Sequence, residues 1–445
     1  IDELSRGGGC LACHLNYTDQ SAGQHQAYIA GQKAENLLPA MHSSLDVKIS
    51  NNHCFGCHSR SGRISANYEG WHETLLDESE INEEKKYRII QDKRVFEFVS
   101  ADVHHTAGME CIDCHNDLEI MGDGNRYLHE EDAVKTRCED CHFQTKPNLI
   151  TYGELDSAAI KIFDLRKYDH INKDMIKGKD SEIALMNTFF ENDTGWMVGK
   201  NSGKIHPLNP PASICIKDKV HESLTCSSCH TAWAPQCIGC HNEFDENAEG
   251  YDLLENKFVK GEWVEYVGNF LAGKPTLGVR ENETKSIEPA IPGMILTIDL
   301  ASFNSSDESM TFHRLFAPAA PHTTNTKGRN CKSCHNDPLA LGYGRGALTF
   351  DLNKRTWSFI PEFAANKYDG LPEDAWIGFL SNPTSNQSTR TNFRPFMLEE
   401  QKRILTVGAC LTCHDENSGI ILRSLDEEFN NYVLKVSEEC VLPVW

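Results

Sequence analysis

The sequence predicts mainly short α-helices and irregular coil, with a few small β-hairpins. Three observations lead there. One pentapeptide, C-x-x-C-H, recurs eight times in 445 residues. The chain is lean in apolar residues: 39% on the set that includes Tyr, and about 43% with Gly counted and Tyr left out, against roughly 45–50% for an ordinary globular domain. Strand-like alternation is confined to a few stretches between the repeats.

The repeats come in this order: CLACH (Cys10, Cys13, His14), CFGCH (Cys54, Cys57, His58), CIDCH (Cys111, Cys114, His115) and CEDCH (Cys138, Cys141, His142). CSSCH (Cys226, Cys229, His230), CIGCH (Cys237, Cys240, His241), CKSCH (Cys331, Cys334, His335) and CLTCH (Cys410, Cys413, His414) follow. They use sixteen of the 18 cysteines and eight of the 20 histidines. Composition alone would give about 0.03 such pentapeptides, so the repeat carries chemistry.

Two cysteines three residues apart lie on one side of a helical turn. There they reach the two vinyl groups of one heme edge, and the following His reaches the iron. A four-cysteine zinc site needs no His after every second Cys, and a redox dithiol would occur once.

On these motifs the chain resembles the multiheme c-type cytochromes, specifically the octaheme ones. The resemblance implies eight covalently attached heme c groups. The sixteen motif cysteines would form the thioethers, and His14, His58, His115, His142, His230, His241, His335 and His414 would be the proximal iron ligands. The implied fold is short helices and coil wrapped around a covalent heme array, the multiheme cytochrome c class. Eight porphyrins would also supply apolar faces that the lean chain does not encode.

Twelve histidines remain, enough for a second imidazole on every iron. His53, His104, His105, His129, His221 and His322 stand just upstream of a motif, where a side chain fixed near one heme also lies near the next. His25, His42, His72, His206 and His313 are further candidates, and His170 is the weakest. The adjacent His104 and His105 point in different directions, a way to hold two irons. Met109 and Met121 flank a motif and read as core filling. Cys215 and Cys440 are left over, either as free thiols or as a disulfide in an oxidising compartment.

The motifs divide the chain into an N-terminal four-heme region (1–142), a middle region with a tight two-heme pair (143–241) and a C-terminal two-heme region with small β elements (242–445). Only TAWAPQ separates His230 from Cys237, and Pro235 forbids one continuous helix there. KFVKGEWVEYVG and MILTIDLA alternate as strands, and ALTFDLNKRTWSFIP reads as a hairpin around Asn353–Lys354. Residues 76–95 suit a solvated charged helix or linker. Residues 108–124 and 328–344 share G-x-x-C-x-x-C-H-N-D followed by G-x-G, which suggests tight turns at those glycines.

Lys plus Arg number 43 and Asp plus Glu 65, a formal net charge of −22. That argues against a nucleic-acid surface and against docking on anionic lipid. No apolar run reaches membrane-spanning length. Heme propionates would deepen the acidity, so the expected redox partner proteins present a basic docking face. The chain opens at Ile1 without a charged and apolar leader. It reads as a mature secreted chain, periplasmic or extracellular, the compartment in which c-type cytochromes acquire heme.

Two functions fit. The first is electron transfer through closely spaced, mostly bis-His hemes, as an extracellular conduit or as a subunit of a homo-oligomer or filament. The alternative is an octaheme oxidoreductase acting on hydroxylamine, nitrite, tetrathionate or sulfite at one heme with an open or weakly held distal site. Known departures that mark such a site, a Lys replacing the motif His or a long insertion between the cysteines, do not occur here. The sequence leaves enzymatic activity open and names no catalytic residue, with electron transfer the favoured reading.

Overall fold

The computed structural model describes residues 9–16, 44–45, 47–59, 64–81, 86–90, 93–217, 220–252, 254–304, 310–384, 387–426, 431, 433, 435–437 and 439–445. It overturns the expected balance of structure: 31% of the chain is strand and only 25% helix, with several multi-strand sheets. The physical reason lies between the motifs. Each motif dictates little more than one helical turn, whereas the long intervening stretches are rich in β-branched and aromatic residues that pair into sheets.

The chain forms two compact units. The first comprises residues 1–69, 90–92 and 104–216, and the second residues 70–89, 93–103 and 217–445. Motifs one to four belong to the first unit and motifs five to eight to the second.

The first unit is built on a five-stranded antiparallel meander, in the order Ile205–Leu208, Thr194–Val198, Ala184–Glu191, Asp174–Lys177, Asn148–Ile150. Asn192 and Asp193, both at positive φ (52° and 57°), close the tightest turn, as two-residue hairpins require. Met109, Ile176, Leu185, Met197 and Leu208 form one buried cluster, against which Cys114 and Cys141 pack. A second cluster joins Leu155, Phe163 and Met175 to the helix Ser157–Arg166. That helix starts where Asp156 accepts the Ala158 and Ala159 N–H groups at 2.8 and 2.9 Å, satisfying two of its orphan donors.

The second unit holds a larger sheet, in the order Lys257–Tyr266, His241–Asp252, Lys285–Asp299, Thr276–Glu281, Phe393–Arg394, with Met310–Pro318 also paired to Lys285–Asp299. The Lys285–Asp299 and His241–Asp252 strands run parallel. The stretches expected to alternate lie in these strands. The hairpin forms between Gly346–Asp351 and Thr356–Pro361, pairing Leu348 with Phe359 and Phe350 with Trp357. Its aromatics join Leu277, Tyr343, Ile377 and Leu405 in the main core.

Among the described residues of 76–95 no charged helix forms. They contain a short 3-10 turn, Glu78–Glu80, and then the strand Tyr87–Ile89 of a small sheet. The glycines after the two echoed motifs, Gly122, Gly124, Gly342 and Gly344, all take φ between 84° and 92°, the left-handed region open to glycine.

Candidate cofactor sites

Seven of the eight motifs sit on a helical turn: Leu11–His14, Asn51–His58, Cys111–Cys114, Cys138–Cys141, Cys226–His230, Lys332–His335 and the end of Leu398–Cys413. The sixth departs from the helical geometry expected of it. Cys237 ends the strand Ala234–Ile238, Gly239 turns at φ 77°, and His241 opens the next strand. Pro235 denies a helix its donor, and the turn at Gly239 replaces it. Buried Cys240 donates to Glu265 Oε1 at 2.6 Å. Burial, together with that carboxylate, pushes its thiol up to about 12.

Four motif histidines have Nδ1 pinned by an acceptor. His115 is held by Glu119 Oε2 at 2.9 Å. His142 is held by the Asn209 carbonyl at 2.7 Å, His230 by Asn325 at 2.9 Å and His335 by Ile404 at 2.9 Å. A carbonyl or carboxylate only accepts, so the proton lies on Nδ1 and Nε2 keeps its lone pair. That is the tautomer a metal-bound histidine needs, and such second partners typically accompany metal ligation. At His241, Thr297 Oγ1 stands 3.0 Å from Nδ1 while Glu243 lies 3.6 Å from Nε2. Burial holds His335 neutral, with its pKa down at about 4.

Two of these rings lie beside an upstream histidine. His104 and His142 have centroids 6.1 Å apart, and so do His221 and His335. With metal–nitrogen bonds of about 2 Å, two imidazoles on opposite sides of one iron have centroids about 6 Å apart. The residues present therefore fit a bis-imidazole site at the fourth and seventh motifs.

The other distal candidates differ from one another. His105 turns away from His104 and packs edge-on to Tyr68 at 5.2 Å. His206 is buried on the strand Ile205–Leu208, its Nε2 without a hydrogen-bond partner among the described residues, and burial lowers its pKa. His72 is buried against Trp233. His129 precedes the short helix Glu130–Ala133, and His313 is exposed on Met310–Pro318. His322 takes φ 56° with Nδ1 2.6 Å from the Ala320 carbonyl. His53 accepts the Ser50 N–H on Nδ1 at 3.1 Å and faces the Leu15 carbonyl with Nε2 at 3.3 Å. That arrangement caps its helix and leaves no ring lone pair for iron. His170 is a core residue boxed by Phe163, Tyr168 and Phe189, with its Nε2 donating to Met186 at 2.9 Å. His25 and His42 lie outside the described residues. Cys215 and Cys440 are free thiols and form no disulfide.

In the first unit the motifs touch in series, and in the second the seventh meets the eighth. Burial, then the thiols of Cys54 and Cys57, push the Cys13 thiol up. Cys54 and Cys111 share a hydrogen bond, which lowers the first thiol and raises the second. Asn51 Oδ1 accepts the Cys111 N–H at 3.0 Å. The third and fourth motifs share the sheet cluster under Cys114 and Cys141. In the second unit, Asn325 and Arg329 donate their N–H groups to the carbonyls of His230 and Cys229, at 2.9 and 2.8 Å. The chain then enters the seventh motif at Cys331. Gly408, on the helix of the eighth, lies so close to His335 that a Cβ would sit 2.4 Å from its carbonyl oxygen.

One device escaped the sequence reading. In the third and fourth motifs the residue before the second cysteine is Asp. Asp113 accepts the Glu110 N–H at 2.8 Å and the Lys200 N–H at 2.6 Å. Asp140 accepts the Arg137 and Lys179 N–H groups, both at 2.8 Å. Lys179 and Lys200 open two loops of the meander with a common sequence, Gly178-Lys179-Asp180-Ser181 and Gly199-Lys200-Asn201-Ser202. That repeat was the available signal. Lys200 Nζ also donates to the His115 carbonyl at 3.1 Å.

No family model, curated protein or solved structure matches the chain.

Proposed function

We propose that this chain is an extracytoplasmic octaheme c-type cytochrome whose function is to carry electrons. The observation that carries the reading is the double pairing of an upstream histidine with a motif histidine, His104 with His142 and His221 with His335, each at 6.1 Å. In both pairs the upstream residue precedes one motif and meets the histidine of another. The same side chain thus ties two stations together.

Each heme, when bound, supplies a one-electron Fe(III)/Fe(II) couple. The protein's own residues do the rest. Motif cysteines fix the ring edge. Carbonyls at Asn209, Asn325 and Ile404 orient the imidazoles. The apolar cluster under Cys114 and Cys141 keeps water away from that side. The serial contact of the first four motifs supports conduction over chemistry at a single site. The acidic balance of the chain suits a basic redox partner.

The test is heme content. Protein secreted from a host with the c-type maturation apparatus is analysed by intact mass and by the pyridine hemochrome spectrum. The reading expects eight hemes per chain with the c-type spectrum, and it fails if the purified chain carries none.

A further inference from the structure

The hairpin of the two strands His241–Asp252 and Lys257–Tyr266 is unlike the rest of the fold. Only His241–Glu243 at its root pairs with another strand, Thr297–Asp299. Beyond the root the two strands pair with no third strand among the described residues, and the helix Ala301–Asn304 packs on the near half through Phe303 against Phe244 and Trp263. From Tyr266 to Phe258 the ribbon runs about 25 Å. Gly250 is the one buried residue among those described in it. A two-stranded ribbon with no third strand is marginal in water, and its open edges invite another chain.

Its tip is apolar where solvent should favour polar groups. Leu254 is 97% exposed and Phe258 67%, with Phe258 stacked edge-on to Tyr251 at 5.0 Å. Exposed aromatics of this kind anchor protein interfaces. The flanks are strongly charged: residues 241–266 hold eight carboxylates and two lysines, a net charge of −6. One of the lysines, Lys257, is paired with Glu255. A second copy of this chain brings the same acidic excess, and so repulsion.

We propose that this hairpin is a docking arm for a lysine- and arginine-rich redox protein, which it brings to the sixth motif at its root. The inference rests on the electron-transfer reading for what is delivered, because Cys237, Cys240 and His241 lie where the ribbon leaves the sheet. It also accounts for that motif's strand geometry, since a helical turn there could not run straight into the arm.

The test uses the holoprotein and, as probe, a lysine-rich monoheme cytochrome c, with an acidic ferredoxin as the opposite-charge control. Binding is measured by calorimetry across a salt series. The variant combines E246Q, E249Q, E255Q and E262Q. A comparison variant neutralises the same number of exposed carboxylates elsewhere, at Glu130, Asp180, Glu283 and Glu362. The arm variant is expected to weaken binding of the basic probe about tenfold at low salt and to flatten its salt dependence. The comparison variant should stay near the parent, and the ferredoxin should not bind.

Equal weakening by both variants would overturn the arm, as would equal binding of the ferredoxin. So would a dimer in sedimentation that the arm variant dissolves. Heme content and the Soret spectrum are recorded on the same samples. Absence of heme defeats the electron-transfer reading, whereas failure of the arm leaves those spectra unchanged.

Discussion

His104 and His142 lie 6.1 Å apart, ring centroid to ring centroid, with their planes inclined by 50°. His142 cannot swing away, because its Nδ1 is tied to the Asn209 carbonyl at 2.7 Å. His104 belongs to the short helix Val103–Ala107, which ends just before the third motif. The His221–His335 pair repeats the relationship in the second unit, with Ile404 in the place of Asn209. A motif histidine pinned on Nδ1, with a second imidazole about 6 Å away, is the pairing on which the proposed bis-imidazole coordination rests.

Asp140 should be a clamp on the fourth motif. Asp140→Ala would take the buried acceptor from the Arg137 and Lys179 N–H groups, at a cost of about 1 kcal/mol. Asp140→Asn keeps one acceptor and should cost about half as much. Urea denaturation gives the energies, and amide exchange at Lys179 should accelerate in the Ala variant.

Gly408→Ala tests the contact between the seventh and eighth motifs. In an open helix interior this change stabilises by about 1 kcal/mol. Here the added methyl meets the His335 carbonyl. The sign should reverse, with a loss of about 1–3 kcal/mol and a lower Tm followed by Soret circular dichroism.

Glu400 makes the second unit sensitive to acid. Burial opposes its charge, but Arg394 (2.7 and 3.0 Å) and the Met397 N–H (2.7 Å) outweigh burial and hold the carboxyl below its ordinary value. A depressed carboxylate contributes its stability in full above the unfolded pKa, about 4.3. That contribution is lost as pH falls through the lower folded value. Urea midpoints should therefore drop between pH 5 and pH 3 in the parent. Glu400→Gln should lose about 1 kcal/mol at neutral pH and show a smaller drop on acidification.

The local geometry of the motifs was far more legible in the sequence than the fold. C-x-x-C-H names its own spacing, and seven motifs take the helical turn it implies. The sixth does not, because Pro235 and Gly239 act on the backbone, and local propensity yields to the sheet around them. The weight of strand was underestimated for a related reason. The parallel pairing of His241–Glu243 with Thr297–Asp299 joins residues far apart in sequence, and nothing local announces it. Distal ligands were only partly legible. His104 and His221 meet motif histidines, whereas His53, which adjoins a motif directly, serves as a helix cap through Ser50. Closeness in sequence does not fix which way a ring points.

The most direct test is low-temperature electron paramagnetic resonance of the oxidised holoprotein, parent beside His104→Ala. The account predicts low-spin signals from the fourth and seventh stations in the parent. In the variant, one heme equivalent converts to high spin, and His105→Ala leaves the fourth station unchanged. An unaltered low-spin count in His104→Ala would contradict the pairing of His104 with His142.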